Sequence, residues 1–122
     1  LAEIDRLRIA TPGPEQVIAN LSGGNQQKAV LSRWLVGRDT RILMLDEPTK
    51  GVDVGAKTEI LRLVSQLAST GVCVIIASSD LEEVAAIAHR VLVLREGRAV
   101  GVLERPVTEA SILELCYGSV AR

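Results

Sequence analysis

"ILMLDEPT", Ile42 to Thr49, runs four apolar residues straight into two adjacent carboxylates. A short run that is apolar at every position reads as a buried parallel strand, since alternation would mark a strand with one wet face. The rest of the chain is ordered around it. Downstream, Val54 to Ser69 places Ile60, Leu63, Val64 and Leu67 on one helical face, with Gly71 at the end. "VCVIIA", Val72 to Ala77, is a second apolar strand. Strand, helix and strand make a βαβ unit, so the two strands should be parallel with a right-handed crossover.

Upstream, Gly23 to Val36 reads as a helix, with Val30 pairing Trp34, Leu31 pairing Leu35, and Gly37 as its stop. "TPGPEQ", Thr11 to Gln16, is a connector, and Leu1 to Arg8 a short helical piece carrying Ile4 and Leu7, the tail of a longer helix. Beyond the second strand, Asp80 to Ala88 is a short helix. "VLVL" (Val91 to Leu94), a Glu96-Gly97 turn and "AVGVL" (Ala99 to Leu103) form a hairpin. Thr108 caps a last helix, with Val107 and Ile112 placed as a hydrophobic staple. This is an α/β pattern, and an incomplete one. Two fully apolar strands need neighbours at their edges and helices on both faces. A segment before Leu1, or a second copy, is expected to complete the sheet. A start at Leu1 rather than Met suits a fragment or a processed product.

Composition narrows the function classes. The 122 residues suit one domain with a modest core. A 48% hydrophobic and 24% charged chain is of soluble globular type. A net charge of -1 leaves no electrostatic footprint for nucleic acid, and at 2% aromatic residues stacking platforms for bases are nearly absent. No apolar run reaches membrane-spanning length, and no signal peptide is present. Cys73 and Cys116 lack metal-type spacing; Cys73, inside an apolar run, reads as core, and both are expected as reduced thiols in a cytosolic protein.

Asp46 and Glu47 stand at the carboxyl end of the first strand, where open α/β sheets bind their ligands. Asp46 is placed to hold Mg²⁺ through water, and Glu47 to orient or deprotonate a water attacking a γ-phosphate. A turn with two solvated acids is the plainer reading of the same residues. "LSGGNQQK", Leu21 to Lys28, sets Ser22, Gly23 and Gly24 at a helix start. There the free N–H groups and the dipole favour an anion, and glycine lets backbone approach it. Ser22 as a simple N-cap is compatible with this. "GVDVGAKT", Gly51 to Thr58, misses the phosphate-loop pattern G-x-x-x-x-G-K-[ST] by Ala56 alone. "DEPTK" separates it from the strand, Asp53 would put a negative charge in a phosphate cradle, and Ala56 adds a Cβ where backbone should be bare. It reads as a decoy.

In this order the motifs resemble the ATP-binding subunits of ABC transporters. The likeness is to the sugar-uptake class with two fused ATPase halves, and there to the C-terminal portion of the second half. The resemblance makes "LSGGNQQK" the signature motif, "LMLDE" the Walker B motif and "KGVDVGAK" the D-loop with the helix after it. It implies a single partial P-loop (RecA-like) ATPase domain: a signature helix at 21–37, a Walker B and D-loop βαβ at 42–77, and a hairpin and helix at 91–117. The implied ligands are ATP and Mg²⁺. Ser22, Gly23, Gly24 and Gln26 would serve the ATP held by the other half, Asp46 the Mg²⁺ through water, and Glu47 the catalysis. Asp53 would be the D-loop interface residue.

The family's switch histidine is replaced by Ser79 in "IIASSDLEEV". Serine can donate a hydrogen bond but carries no imidazolium charge, and Ser79 also fits a capping box with Glu82. His89 reads as an ordinary surface or packing residue. The implied partners are the other ATPase half, the membrane subunits and, indirectly, a periplasmic or extracellular sugar-binding protein, without nucleic acid. The implied place is the cytoplasmic face of the membrane. No Walker A lies upstream of Leu21, so these 122 residues alone should not hydrolyse ATP. The alternative is a regulatory or assembly half that docks on the partner ATPase half. A chromosome-maintenance ATPase would show long flanking heptads, which this sequence lacks.

Overall fold

A computed structural model describes residues 2–35 and 39–118. The chain divides into two compact units, Leu1–Ala77 and Ser78–Arg122. The first begins with α1 (Ala2–Arg6), a connector and a 3-10 turn at Ile18–Asn20, followed by α2 (Gly23–Leu35). Then come β1 (Ile42–Asp46), α3 (Val54–Ser69) and β2 (Cys73–Ala77). The side chains of Trp34 and Leu35, and Gly37, on which the pairing and the stop of α2 were expected, lie outside the described residues.

The βαβ unit forms as its pattern demands. Asp53 caps α3 by accepting from the Ala56 N–H at 2.9 Å, and the Thr70 and Gly71 N–H groups bond back to Leu67 and Ala68 at the other end. The face carrying Ile60, Leu63, Val64 and Leu67 is buried throughout. Burying side chains of this kind contributes roughly 1.5–3 kcal/mol each. β1 and β2 pair in parallel from Ile42↔Cys73 to Asp46↔Ala77.

The two faces of this sheet differ. Leu43 is buried, and Leu45, Val74 and Ile76 are half-buried. Ile42, Met44, Asp46, Cys73, Ile75 and Ala77 share the other face, and all six are exposed. Burial on both faces therefore does not hold within this chain, and Cys73 is a surface thiol rather than a core residue. The reason is a matter of layers. The strands are apolar on both faces, while among the described residues only one face is covered.

In the second unit α4 (Leu81–Ile87) is followed by β3 (Arg90–Arg95), β4 (Arg98–Glu104) and α5 (Glu109–Tyr117). β3 and β4 form the expected antiparallel hairpin, turning at Glu96 (φ 51°) and Gly97 (φ 74°), the paired left-handed residues of a tight hairpin turn. A bulge shifts the register between Val93 and Leu94. Val91 and Val93 point inward and pack with Val107 and Ile112. The predicted staple is thus part of this unit's core. Thr108 and Ser111 exchange side-chain-to-backbone hydrogen bonds at 3.1 Å each, capping α5.

α4 begins one residue later than read. Its cap is Asp80, which accepts from the Glu83 N–H at 3.0 Å, so the capping box between Ser79 and Glu82 does not form the helix start. The Ser78 hydroxyl accepts from the Asp80 N–H at 3.1 Å and holds Asp80 in the cap position. At the far end, the Arg105 guanidinium donates to the carbonyls of Ala86, Ile87 and Ala88. No helix among the described residues is long and apolar enough to cross a membrane.

Candidate functional site

The start of α2 is built from its own sequence. The first N–H used by the helix is that of Gln26, bonded to the Ser22 carbonyl at 2.9 Å, which leaves the preceding N–H groups without a partner inside the helix. Asn25 donates from Nδ2 to Ser22 Oγ at 2.9 Å, while its Oδ1 accepts from the Ala10 N–H at 2.9 Å. Gln26 donates from Nε2 to the carbonyls of Leu21 (2.8 Å) and Ala19 (3.4 Å). Asn25 and Gln26 therefore shape the loop, and Ser22 and Gly23 stand exposed at the helix start. Gln26, expected to face nucleotide, has its amide nitrogen engaged inside the loop.

Gly24 is buried, and its lack of a side chain serves packing. A Cβ there would meet the Ala56 Cβ at 2.3 Å. Gly23 faces the Gly51 carbonyl, with 3.7 Å to a built Cβ. The "LSGG" and "GVDVGA" segments are thus neighbours. In the second of them Asp53 places its own carboxylate on the Ala56 N–H. A phosphate would need that N–H, so the near-match to a phosphate loop is closed by its own aspartate.

At the end of β1, Asp46 is exposed and Glu47 half-buried. Glu47 has φ 45°, a left-handed conformation that costs a side-chain-bearing residue roughly 1–2 kcal/mol. Its N–H still bonds to the Ala77 carbonyl at 2.8 Å, and its carbonyl accepts from the Lys50 N–H at 3.1 Å. The chain therefore leaves the sheet abruptly at Glu47, over the buried Pro48 and Thr49. Backbone strain of this kind gathers at working sites. Among the described residues no group of three or more His, Cys, Asp or Glu could hold a metal ion. An exposed Asp46 fits a hydrated Mg²⁺, which takes one or two carboxylates and fills its remaining positions with water and phosphate oxygens.

Ser79 is exposed just before α4, in the second unit. His89, read as a surface or packing residue, is exposed, and its carbonyl accepts from the Arg105 N–H at 3.1 Å.

Lys28 went unremarked in the sequence and stands out in the structure. It is 3% exposed, and its Nζ donates to the Arg8 carbonyl at 3.0 Å and to the Glu59 carboxylate on α3. The Glu59 carboxyl is held below its ordinary range by that hydrogen bond first and by the Lys28 charge second. A signal existed in the spacing. Gly24, Lys28 and Leu31 fall on one face of α2, and all three are buried.

The fold is that of part of an ATP-binding cassette. An ATP-binding cassette of an ABC transporter in its ADP conformation superposes with a TM-score of 0.77 at 20% identity, covering 97% of this chain and 44% of the other. A dimeric cassette in a post-hydrolysis state bound to ADP and Pi gives 0.70 at 21% identity, over 84% and 44%. In sequence the chain is homologous to a segment of sugar-import ABC ATP-binding proteins. It is 53% identical over 116 residues, 94% of its length, to the arabinose import ATP-binding protein AraG of Yersinia pestis. It is also 53% identical over 114 residues to a protein of Pseudomonas syringae pv. tomato named for ribose/galactose/methyl galactoside import. The chain spans about a fifth (22%) of the length of these relatives. No family model matches it.

Proposed function

We propose that this chain is part of the ATP-binding subunit of a sugar importer, in its second ATPase half, and supplies that half's signature, Walker B and D-loop motifs. The observation that carries the reading is the start of α2, where Ser22 and Gly23 are exposed beside the Asp53 segment. In this reading Ser22, Gly23 and the first N–H groups of α2 bind phosphate oxygens of ATP seated on the partner half. Gly24 and Gln26 support them by shaping the loop. Asp46 holds Mg²⁺ through water; the ion, when bound, offsets phosphate charge. Glu47 orients a water and accepts its proton. Asp53 caps α3 and meets the partner half. Ser79 offers a hydrogen bond without a charge, which leaves this half's own site the weaker one.

The dimeric cassette among the fold relatives supports a partner ATPase half; in this reading the subunit also meets the importer's membrane subunits, at the cytoplasmic face of the membrane. In the full-length subunit Ser22→Arg should abolish stimulated ATPase, and Glu47→Gln should reduce it less. Loss of turnover in Glu47→Gln with turnover kept in Ser22→Arg would overturn the assignment. The 122 residues alone, which hold no Walker A sequence, should release no phosphate from Mg²⁺-ATP in a malachite-green assay.

A further inference from the structure

Among the contacts that join α2 to α3, two lie one turn apart on each helix. Gly24 lies bare against Ala56, and four residues on, Lys28 reaches Glu59, three residues beyond Ala56. The same Nζ also donates to the Arg8 carbonyl, where the backbone is left-handed (φ 50°) just after α1. A buried ammonium requires partners, because an unpaired charge away from water is strongly unfavourable. Its attachments therefore hold α2, α3 and the end of α1 at one mutual angle. Ser22 precedes α2 and Asp53 precedes α3, so the same joint sets both exposed loops. Nothing in the contact touches either loop's outward face.

We infer that Lys28 is a positioning residue: through Glu59 and the Arg8 carbonyl it locks the signature and D-loop segments into one rigid element that meets the partner half as a unit. The inference rests on the proposed function above for its catalytic consequence. Its structural half stands without that reading. The coupling is carried by a short chain of packed groups, for which mutations shift linked equilibria by roughly 2- to 30-fold.

The test uses the full-length subunit with its membrane subunits, and three variants: Lys28→Gln, Glu59→Gln and the double mutant. Glu59 is half-exposed, so Glu59→Gln breaks the joint even if Lys28→Gln fails to fold. In hydrogen exchange, Glu59→Gln should speed exchange at the amides of residues 22–26 and 53–57 together, by roughly tenfold. Faster exchange in only one segment, or in neither, overturns the rigid element. In kinetics, kcat should fall roughly tenfold while KM for ATP moves less than twofold, and the double mutant should lose no more than the worse single. Lys28→Arg, which keeps the charge and the donors, should recover at least half of kcat. Wild-type kcat in folded Glu59→Gln, with Ser22→Arg inactive, overturns the positioning role. Full activity of Ser22→Arg points instead to failure of the proposed function.

Discussion

Gly24 has no room for a methyl group, because Ala56 already occupies the place where one would go. Gly24→Ala should therefore destabilise the chain by about 1–3 kcal/mol despite the better helix propensity of alanine. Adding Ala56→Gly should recover part of the loss, less about 1 kcal/mol for glycine inside a helix. Urea unfolding of the four combinations reads this directly, and additive losses would show that the two positions do not share the space. Glu59 makes a prediction about pH. Its folded carboxyl titrates below the ordinary range because of Lys28, so the unfolded chain takes up the proton first on acidification. The stabilisation is complete above the ordinary glutamate range and is lost as pH falls through the lowered folded value. The stability gap between wild type and Glu59→Gln should be widest near neutrality, narrow as pH falls below the ordinary glutamate range and close only below the lowered folded value. Lys28 itself was illegible as a joint in the sequence, because its partners are 20 and 31 residues away. Its spacing with Gly24 and Leu31 turns it inward, but no local signal names what it meets there until α1 and α3 are in place.

Among the elements, α3 was legible to both of its ends. Its apolar face and its Gly71 stop point to the boundaries the structure shows, and the Asp53 cap adds to them. The hairpin and the cap of α5 were legible for the same reason of agreeing local signals. α4 was not, to within a residue. Ser79 with Glu82 and Asp80 with Glu83 offer the same capping pattern one position apart, and the Ser78 hydroxyl on the Asp80 N–H goes with the second. The other end of α4 depends on Arg105, whose guanidinium satisfies carbonyls the helix cannot. Arg105→Ala should cost about 1 kcal/mol and raise hydrogen exchange at the last turn of α4 before it does so in β3. Equal protection in mutant and wild type would mean that the three carbonyls find other donors.

At the scale of the molecule, the apolar run from Ile42 correctly announced a parallel strand and wrongly announced its burial. Such a run states what each position is suited to touch, and the touching atoms need not be in the same stretch of chain. The near-phosphate loop was legible as a decoy, since its charge and its distance from the strand already opposed cradling. The exposed Ile42, Met44 and Ile75 should make the isolated chain bind a hydrophobic dye and self-associate, and Ile42→Thr with Met44→Gln should reduce both. Light scattering and dye fluorescence at matched concentration read the change, and unaltered values would place the sticky surface elsewhere. A map of tolerated substitutions would therefore depend on how much protein surrounds these strands. Scanned in the 122 residues, positions 42, 44 and 75 should accept polar side chains freely, even gainfully. Scanned in a chain as long as its import relatives, the same three positions should rank among the least forgiving.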